Sequence, residues 1–364
     1  MDPIRPDYGG PTITGLIPSI VGGRPANWVP AEVSDARAVV VLVLDGLGWT
    51  ALESHRSVLP ELDACVGREI TTVVPSTTSS ALTSIVTGLA PSQHGIVGYR
   101  MRVDGVIFNV LRWQRADGNR PPDPFDVQRH APFLGREVPV LTKNEFRTTG
   151  FTDAHLRGTR FFGWSATSTL VERVRRLVAG GERFLYAYYP SIDSVAHEHG
   201  LVDGFYEAEL RAADALVGAV RDVLPTDALL VITADHGQVH TGREGWMSLA
   251  ALDGLVDAYG GDGRFRSLYA RRGAAKELAA AARAELGHVA WVYERAELFD
   301  DGWLGPPPTS PAIPRRLGDV VLAAREPVSF IDPTMTREQT LLAGHGSLTP
   351  DEMLVPLLVA PGRA

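Results

Sequence analysis

Cysteine is almost absent. Cys65 stands alone among 364 residues, so no intrachain disulfide can form. A basic excess is lacking too, since 35 Lys and Arg against 43 Asp and Glu leave a net charge of −8. That balance leaves no basic excess to displace counterions from phosphates, which disfavours a general nucleic-acid binder. No apolar run approaches the ~20 residues that a membrane helix needs. The opening stretch MDPIRPDYGGPTITGL has neither a basic n-region nor an apolar h-region, so no secretory leader is expected there. Internal repeats and low-complexity tracts are missing as well. Together these absences predict a soluble, cytoplasmic protein with no membrane partner and no nucleic-acid polymer partner. What remains is ordinary globular composition, 45% hydrophobic and 21% charged, at a length suited to two domains or one large domain with an insertion.

The chain carries four apolar runs of the kind found in strands buried on both faces: Ala38–Leu44, Phe184–Tyr189, Ala228–Thr233 and Leu354–Ala360. Helical patterns separate them, over Ser80–Val86, Ser165–Val178 and Phe205–Val223. Such alternation predicts an α/β fold with a doubly wound, mostly parallel central sheet and helices on both faces. Arg100–Trp113 reads instead as a hairpin turning at Asp104-Gly105. The first thirty-odd residues are rich in Pro and Gly and are expected to wrap the surface as extended chain. From about Gly245 short strands, an Ala-rich helix and a Pro-rich loop replace the regular alternation. The expected division is a core of residues 1–245 and 319–364, with a small inserted α+β lobe at 246–318.

Four places share one layout, a strand-like run followed by residues that ligate metals. Asp45 follows the first run; Asp193, with His197 four residues on, follows the second; Asp235-His236 follows the third; His345 lies near the C-terminus. Open α/β sheets place their sites at the carboxyl ends of strands, so these groups can converge on one edge. Three Asp and three His suffice for two divalent ions, and mixed imidazole and carboxylate favours zinc over magnesium or calcium. Taken singly each motif has a plain reading. Asp-Gly makes turns, and an Asp-x-x-x-His pair makes a helical ion pair. A hydroxyl-rich stretch, Thr71–Tyr99, supplies candidates for a nucleophile at a helix start, where free N–H groups can hold a phosphate. The same Ser and Thr also suit N-caps. His94 is expected to fix a loop by hydrogen bonding.

The motifs VLVLDGLGW, PSTTSSALTSIVTGLAPSQHGI, YPSIDSVAHEHG, ITADHG and AGHGSLTPDEMLVPLLV, spanning residues 41–359, resemble the alkaline phosphatase superfamily. Within it the likeness is to the type I phosphodiesterase/nucleotide pyrophosphatase family. The resemblance implies a two-metal hydrolase of phosphate esters, phosphodiesters or nucleotide pyrophosphates, working through a covalent phospho-threonine. By position, Asp45, Asp235 and His236 match the ligands of one metal, with the nucleophile completing the set. Asp193, His197 and His345 match those of the other. The family's nucleophile lies nine residues before the Thr of a Thr-Gly pair, here Thr87-Gly88, which selects Thr78 over Thr77. Where nucleotide pyrophosphatases carry a phosphoryl-contacting Asn, this chain has Tyr99, a phenol that can still donate a hydrogen bond. The implied cofactors are two divalent ions, zinc first and manganese second, and the implied partner is a small phosphorylated substrate. A phosphonate (C–P) hydrolase, a phosphomonoesterase and a metal-holding binding protein are the competing readings, and no oligomeric state is implied. Arg100, Arg102, Arg157 and Arg160 are the arginines expected to be able to reach the phosphoryl group.

Overall fold

Ala38–Leu44 forms a strand in which every residue is buried, as a run apolar on both faces requires. In the computed structural model, which describes residues 2–23 and 26–364, this strand is central in a seven-stranded sheet. Ala228–Thr233 and Phe184–Tyr189 flank it in parallel. Pro139–Lys143 and Arg160–Trp164 continue the parallel order on one side. On the other side Leu354–Pro361 runs antiparallel to Ala228–Thr233, and Val66–Thr71 closes that edge. The architecture is the expected α/β one, mostly parallel, with a single reversed strand. The helices Thr78–Thr87, Thr167–Ala179 and Phe205–Val223 lie within two residues of their expected starts and ends.

The hairpin also forms where its turn chemistry predicts. Arg100–Val103 pairs antiparallel with Val106–Asn109, and Asp104 and Gly105 take φ of 49° and 80°. Positive φ at both central residues matches the twist of the two strands.

A second, four-stranded sheet is ordered Val256–Gly261, Phe265–Ala270, Val320–Ala324, Ala290–Glu294, all antiparallel. The helix Ala275–Leu286 packs Leu278, Ala279, Ala282 and Leu286 against it. The lobe therefore reaches past its expected end at 318. Val320–Ala324 is shared out by face: Val320, Leu322 and Ala324 join the lobe's own core, while Val321 and Ala323 join the main core. A strand buried on both faces reads the same whichever sheet owns it, so local sequence does not assign Val320–Ala324 to one layer.

The N-terminal stretch corrects a second expectation. Residues 2–7 carry no helix, as expected of extended chain, but the segment beyond folds into the short helical pieces Ile13–Gly15 and Leu16–Val21. Ile13, Leu16 and Ile17 are fully buried in the main core, and the segment packs on helix Thr78–Thr87. Pro18 lies in the first turn of its helix, where a missing N–H costs nothing. Among the described residues no helix is long and apolar enough to cross a membrane.

Candidate active site

The three central parallel strands end together, and each delivers a carboxylate. Leu44 pairs with Tyr189 and Val43 with Thr233, so Asp45 and Asp235 emerge side by side. Asp193 follows on helix Ser191–His199, and its N–H donates to the Asp45 carbonyl at 3.1 Å. His197 stands one helical turn beyond Asp193, on the same face. His345 arrives on a two-residue ribbon, Ala343–Gly344, paired with Val239–His240. Gly46 is required at the crossing, with φ of 80° and no room for a Cβ, which would stand 2.7 Å from Gln238 Nε2 and 3.1 Å from Asp193.

Two groups of donor atoms result. Around His236 Nε2 lie Thr78 Oγ1 at 3.0 Å, Asp45 Oδ1 at 3.4 Å and Asp235 Oδ2 at 3.5 Å. Beside them, Asp193 Oδ1 lies 3.3 Å from His197 Nε2 and 3.7 Å from His345 Nε2. The rings of His236 and His345 stack at 3.6 Å, 14° from parallel, which joins the two groups. All six residues expected as metal ligands thus converge, and Thr78 meets one of the two groups.

These groups suit divalent cations on four counts. First, Asp45 Oδ1 and Asp235 Oδ2 are buried and have no hydrogen-bond partner, a costly state for anions unless a cation meets them. Second, their other oxygens are occupied and hold them in place. Tyr188 donates to Asp45 Oδ2, and the N–H groups of Gly46 and His236 donate to Asp235 Oδ1 at 3.2 and 3.1 Å. Third, every imidazole engages a backbone carbonyl through Nδ1: His197 with Ala343 at 2.8 Å, His236 with Gly237 at 3.1 Å, His345 with Ser76 at 3.0 Å. Each Nε2 is left as the free ligand atom, the arrangement seen when histidines bind metals. Fourth, burial and the charges of Asp235 and Asp193 push the Asp45 carboxyl well above its usual range. Burial likewise raises Asp235, against the lowering effect of His236. Burial, with His236 and His197 beside it, holds His345 well below the usual imidazole value, so it stays neutral.

Thr78 is the first residue of its helix, with Thr77 at the N-cap and no side-chain cap bond. The capping alternative therefore does not hold for Thr77. Two nearby hydroxyls are spent on structure, Ser76 donating to Ser347 O at 2.7 Å and Ser80 to Ile96 O at 2.9 Å. His94 does fix a loop, through Ser84 Oγ at 2.9 Å and the Ile96 N–H at 3.1 Å.

An open cavity of about 420 Å³ lies in front of Thr78, with Tyr99, Arg112, Asp262 and Arg337 in its walls. Tyr99 is thus a wall of the cavity that Thr78 also lines, and burial raises its phenol so that it keeps its proton. A smaller cavity of about 130 Å³ also borders Thr78, lined by Phe146, Phe151, Leu156, Tyr186 and Tyr188. The four expected arginines line neither cavity. Arg100 pairs with Asp332, Arg102 with Asp257 at 2.7 Å, and Arg160 with Glu182 at 2.7 Å. Arg157 donates to the carbonyls of Gln128 and Ala154, both at 2.8 Å. Arg112, Arg337 and Asp262 were missed, because nothing in their local sequence marks them. Gln238, whose Nε2 donates to Asp193 Oδ1 at 2.8 Å, was within reach of sequence reasoning, two residues past His236.

A parallel sheet whose carboxyl edge gathers carboxylates, imidazoles and a helix-borne hydroxyl defines a metal-dependent hydrolase of phosphate esters. The family model for type I phosphodiesterase/nucleotide pyrophosphatase matches residues 39–348, and the chain belongs to that family. No curated protein sequence matches it. Among solved structures, murine ectonucleotide pyrophosphatase/phosphodiesterase 5 superposes with a TM-score of 0.66 at 17% identity, covering 90% of this chain and 88% of that one. The human counterpart gives 0.64 at 17%, covering 88% and 87%. An inactive threonine-to-alanine variant of the murine protein, in complex with AMP, gives 0.65 at 16%, covering 88% and 87%. At such identity the likeness shows the shared fold.

Proposed function

We propose that this chain hydrolyses small phosphodiesters by attack of the Thr78 hydroxyl on phosphorus, at a centre that holds two zinc ions. Asp45, Asp235, His236 and Thr78 would hold one ion, and Asp193, His197 and His345 the other. Bound there, divalent ions supply Lewis acidity that favours the alkoxide form of a hydroxyl and offsets the charge of phosphoryl oxygens. The mixed imidazole and carboxylate donor set supports zinc, with manganese as the second choice.

The observation that carries this reading is the position of Thr78, its Oγ1 3.0 Å from His236 Nε2 and the residue lining both cavities. The Thr78 oxygen attacks, an O–P bond forms, and the leaving alcohol departs with its electron pair and takes up a proton. Water then cleaves the phospho-threonine, releasing a monoester and restoring the hydroxyl. The Thr78 N–H has no partner within the helix, so it can donate to a phosphoryl oxygen at the positive end of the helix dipole. Tyr99 offers a second donor from the cavity wall. A nucleotide-type diester is the substrate class we favour, supported by the family and by the AMP bound to the inactive murine variant. The lone Cys65 supports a cytoplasmic setting.

Thr78→Ala should lower turnover of bis-(p-nitrophenyl) phosphate by about a thousandfold or more while metal content and melting temperature hold. Thr77→Ala should cost far less. If the two effects were reversed, Thr77 would be the nucleophile; if neither variant lost activity, attack by a threonine would be ruled out.

A further inference from the structure

The sharp hairpin between strands Val256–Gly261 and Phe265–Ala270 carries Asp262 from the lobe into the cavity in front of Thr78. Its placement is tight on both sides of the nucleophile. Thr77, one residue before Thr78, stands beside its carboxyl. Gly346, one residue past His345, takes φ of 118°, and a Cβ there would stand 3.4 Å from Asp262 Cβ. Asp262 Oδ2 is closed off from solvent and has no hydrogen-bond partner.

The nearby cations are committed elsewhere. Arg264 grips Glu352 through two bonds, at 2.8 and 2.9 Å. Arg266 pairs with Glu338 at 2.7 Å and approaches Asp332 at 3.8 Å, and Arg100 completes that buried set through Asp332. Two acids and two arginines cancel there, and Asp262 is left as the uncompensated charge. Arg112 and Arg337 line the same cavity but are exposed, so solvent and salt screen them more than they screen Asp262.

We infer that Asp262 is a specificity-determining residue that favours phosphodiesters over phosphomonoesters, an inference that rests on Thr78 being the nucleophile. A diester can turn its uncharged, esterified oxygen towards the carboxylate. A monoester dianion has no such oxygen to spare and must bring a charged one close to Asp262. Burial pushes the Asp262 carboxyl up to about 7, against the opposing pull of Thr77 and Arg266. At pH 8.5 the carboxylate form predominates.

The test compares kcat/KM at pH 8.5 for bis-(p-nitrophenyl) phosphate and p-nitrophenyl phosphate, in wild type, Asp262→Asn and Asp262→Glu. Binding of inorganic phosphate to the zinc-loaded proteins is followed by calorimetry. The expected result for Asp262→Asn is a gain of about tenfold on the monoester and in phosphate affinity, with the diester changed less than about threefold. Asp262→Glu, which keeps the charge, should retain the wild-type preference. Equal changes on both substrates, or an unchanged phosphate affinity in a folded Asp262→Asn protein, would overturn the inference. Absence of Thr78-dependent turnover in wild type would instead defeat the hydrolase mechanism, while phosphate affinity would still decide the role of Asp262.

Discussion

Thr77 and Thr78 are chemically identical neighbours, and geometry alone separates them. Thr78 Oγ1 faces His236, whereas Thr77 faces Asp262 from the N-cap. Before any coordinates, only the family resemblance, carried over by the spacing to Thr87-Gly88, implied Thr78 over Thr77. His94 shows a different use of an imidazole. It is buried, engaged at both ring nitrogens, and burial drives it down to about 3. The folded protein therefore keeps His94 neutral, while the unfolded chain takes up a proton below pH ~6.5. Stability is lost as pH falls from ~6.5 towards 3, by about 1.4 kcal/mol per pH unit from this group. His155, lowered to about 4 by burial, adds to the same slope. In His94→Asn, denaturant midpoints between pH 7 and 4.5 should therefore fall less steeply than in wild type. An unchanged slope would show that His94 is not the neutral, buried group described.

At the scale of elements, the parallel strands were readable because burial on both faces leaves an unbroken apolar run. The helices were readable through their period, and the hairpin through Asp-Gly. What failed shares a physical cause, namely local composition overridden by tertiary contact. The Pro and Gly residues of the N-terminal stretch signal loop, yet Ile13, Leu16 and Ile17 supply a face that covers helix Thr78–Thr87. Gly88 ends that helix in a left-handed turn with φ of 71°, where a Cβ would stand 2.4 Å from Pro18. This contact ties the segment to the element that carries the nucleophile. Leu16→Ala should accordingly cost roughly 2–5 kcal/mol by chemical denaturation, the range for deleting a fully buried leucine. Less than about 0.5 kcal/mol would place the segment on the surface after all.

Across the whole molecule, sheet and lobe contribute different halves of the site. The sheet edge supplies Asp45, Asp193, His197, Asp235 and His236 after strand signals, a helix start supplies Thr78, and a two-residue ribbon brings His345. The lobe supplies Asp262, a loop supplies Arg112 and the helical turn Thr336–Thr340 supplies Arg337, none of which carries a local signature. Residues of this second kind come together only when the chain folds, so the chemistry was legible in sequence and the substrate preferences were not. The metal centre also bears on global stability. Three buried or half-buried carboxylates meet at one edge, so cation removal should lower the melting temperature as well as activity. In the proposed reaction two bound ions and Thr78 form one reacting unit. Its most direct test strips the protein with a strong chelator and titrates it with zinc, following bound metal and diester turnover together. The account predicts no turnover in the stripped protein and a rise that levels off at two zinc ions per chain. Turnover that survives stripping, or that saturates at one ion, would contradict it.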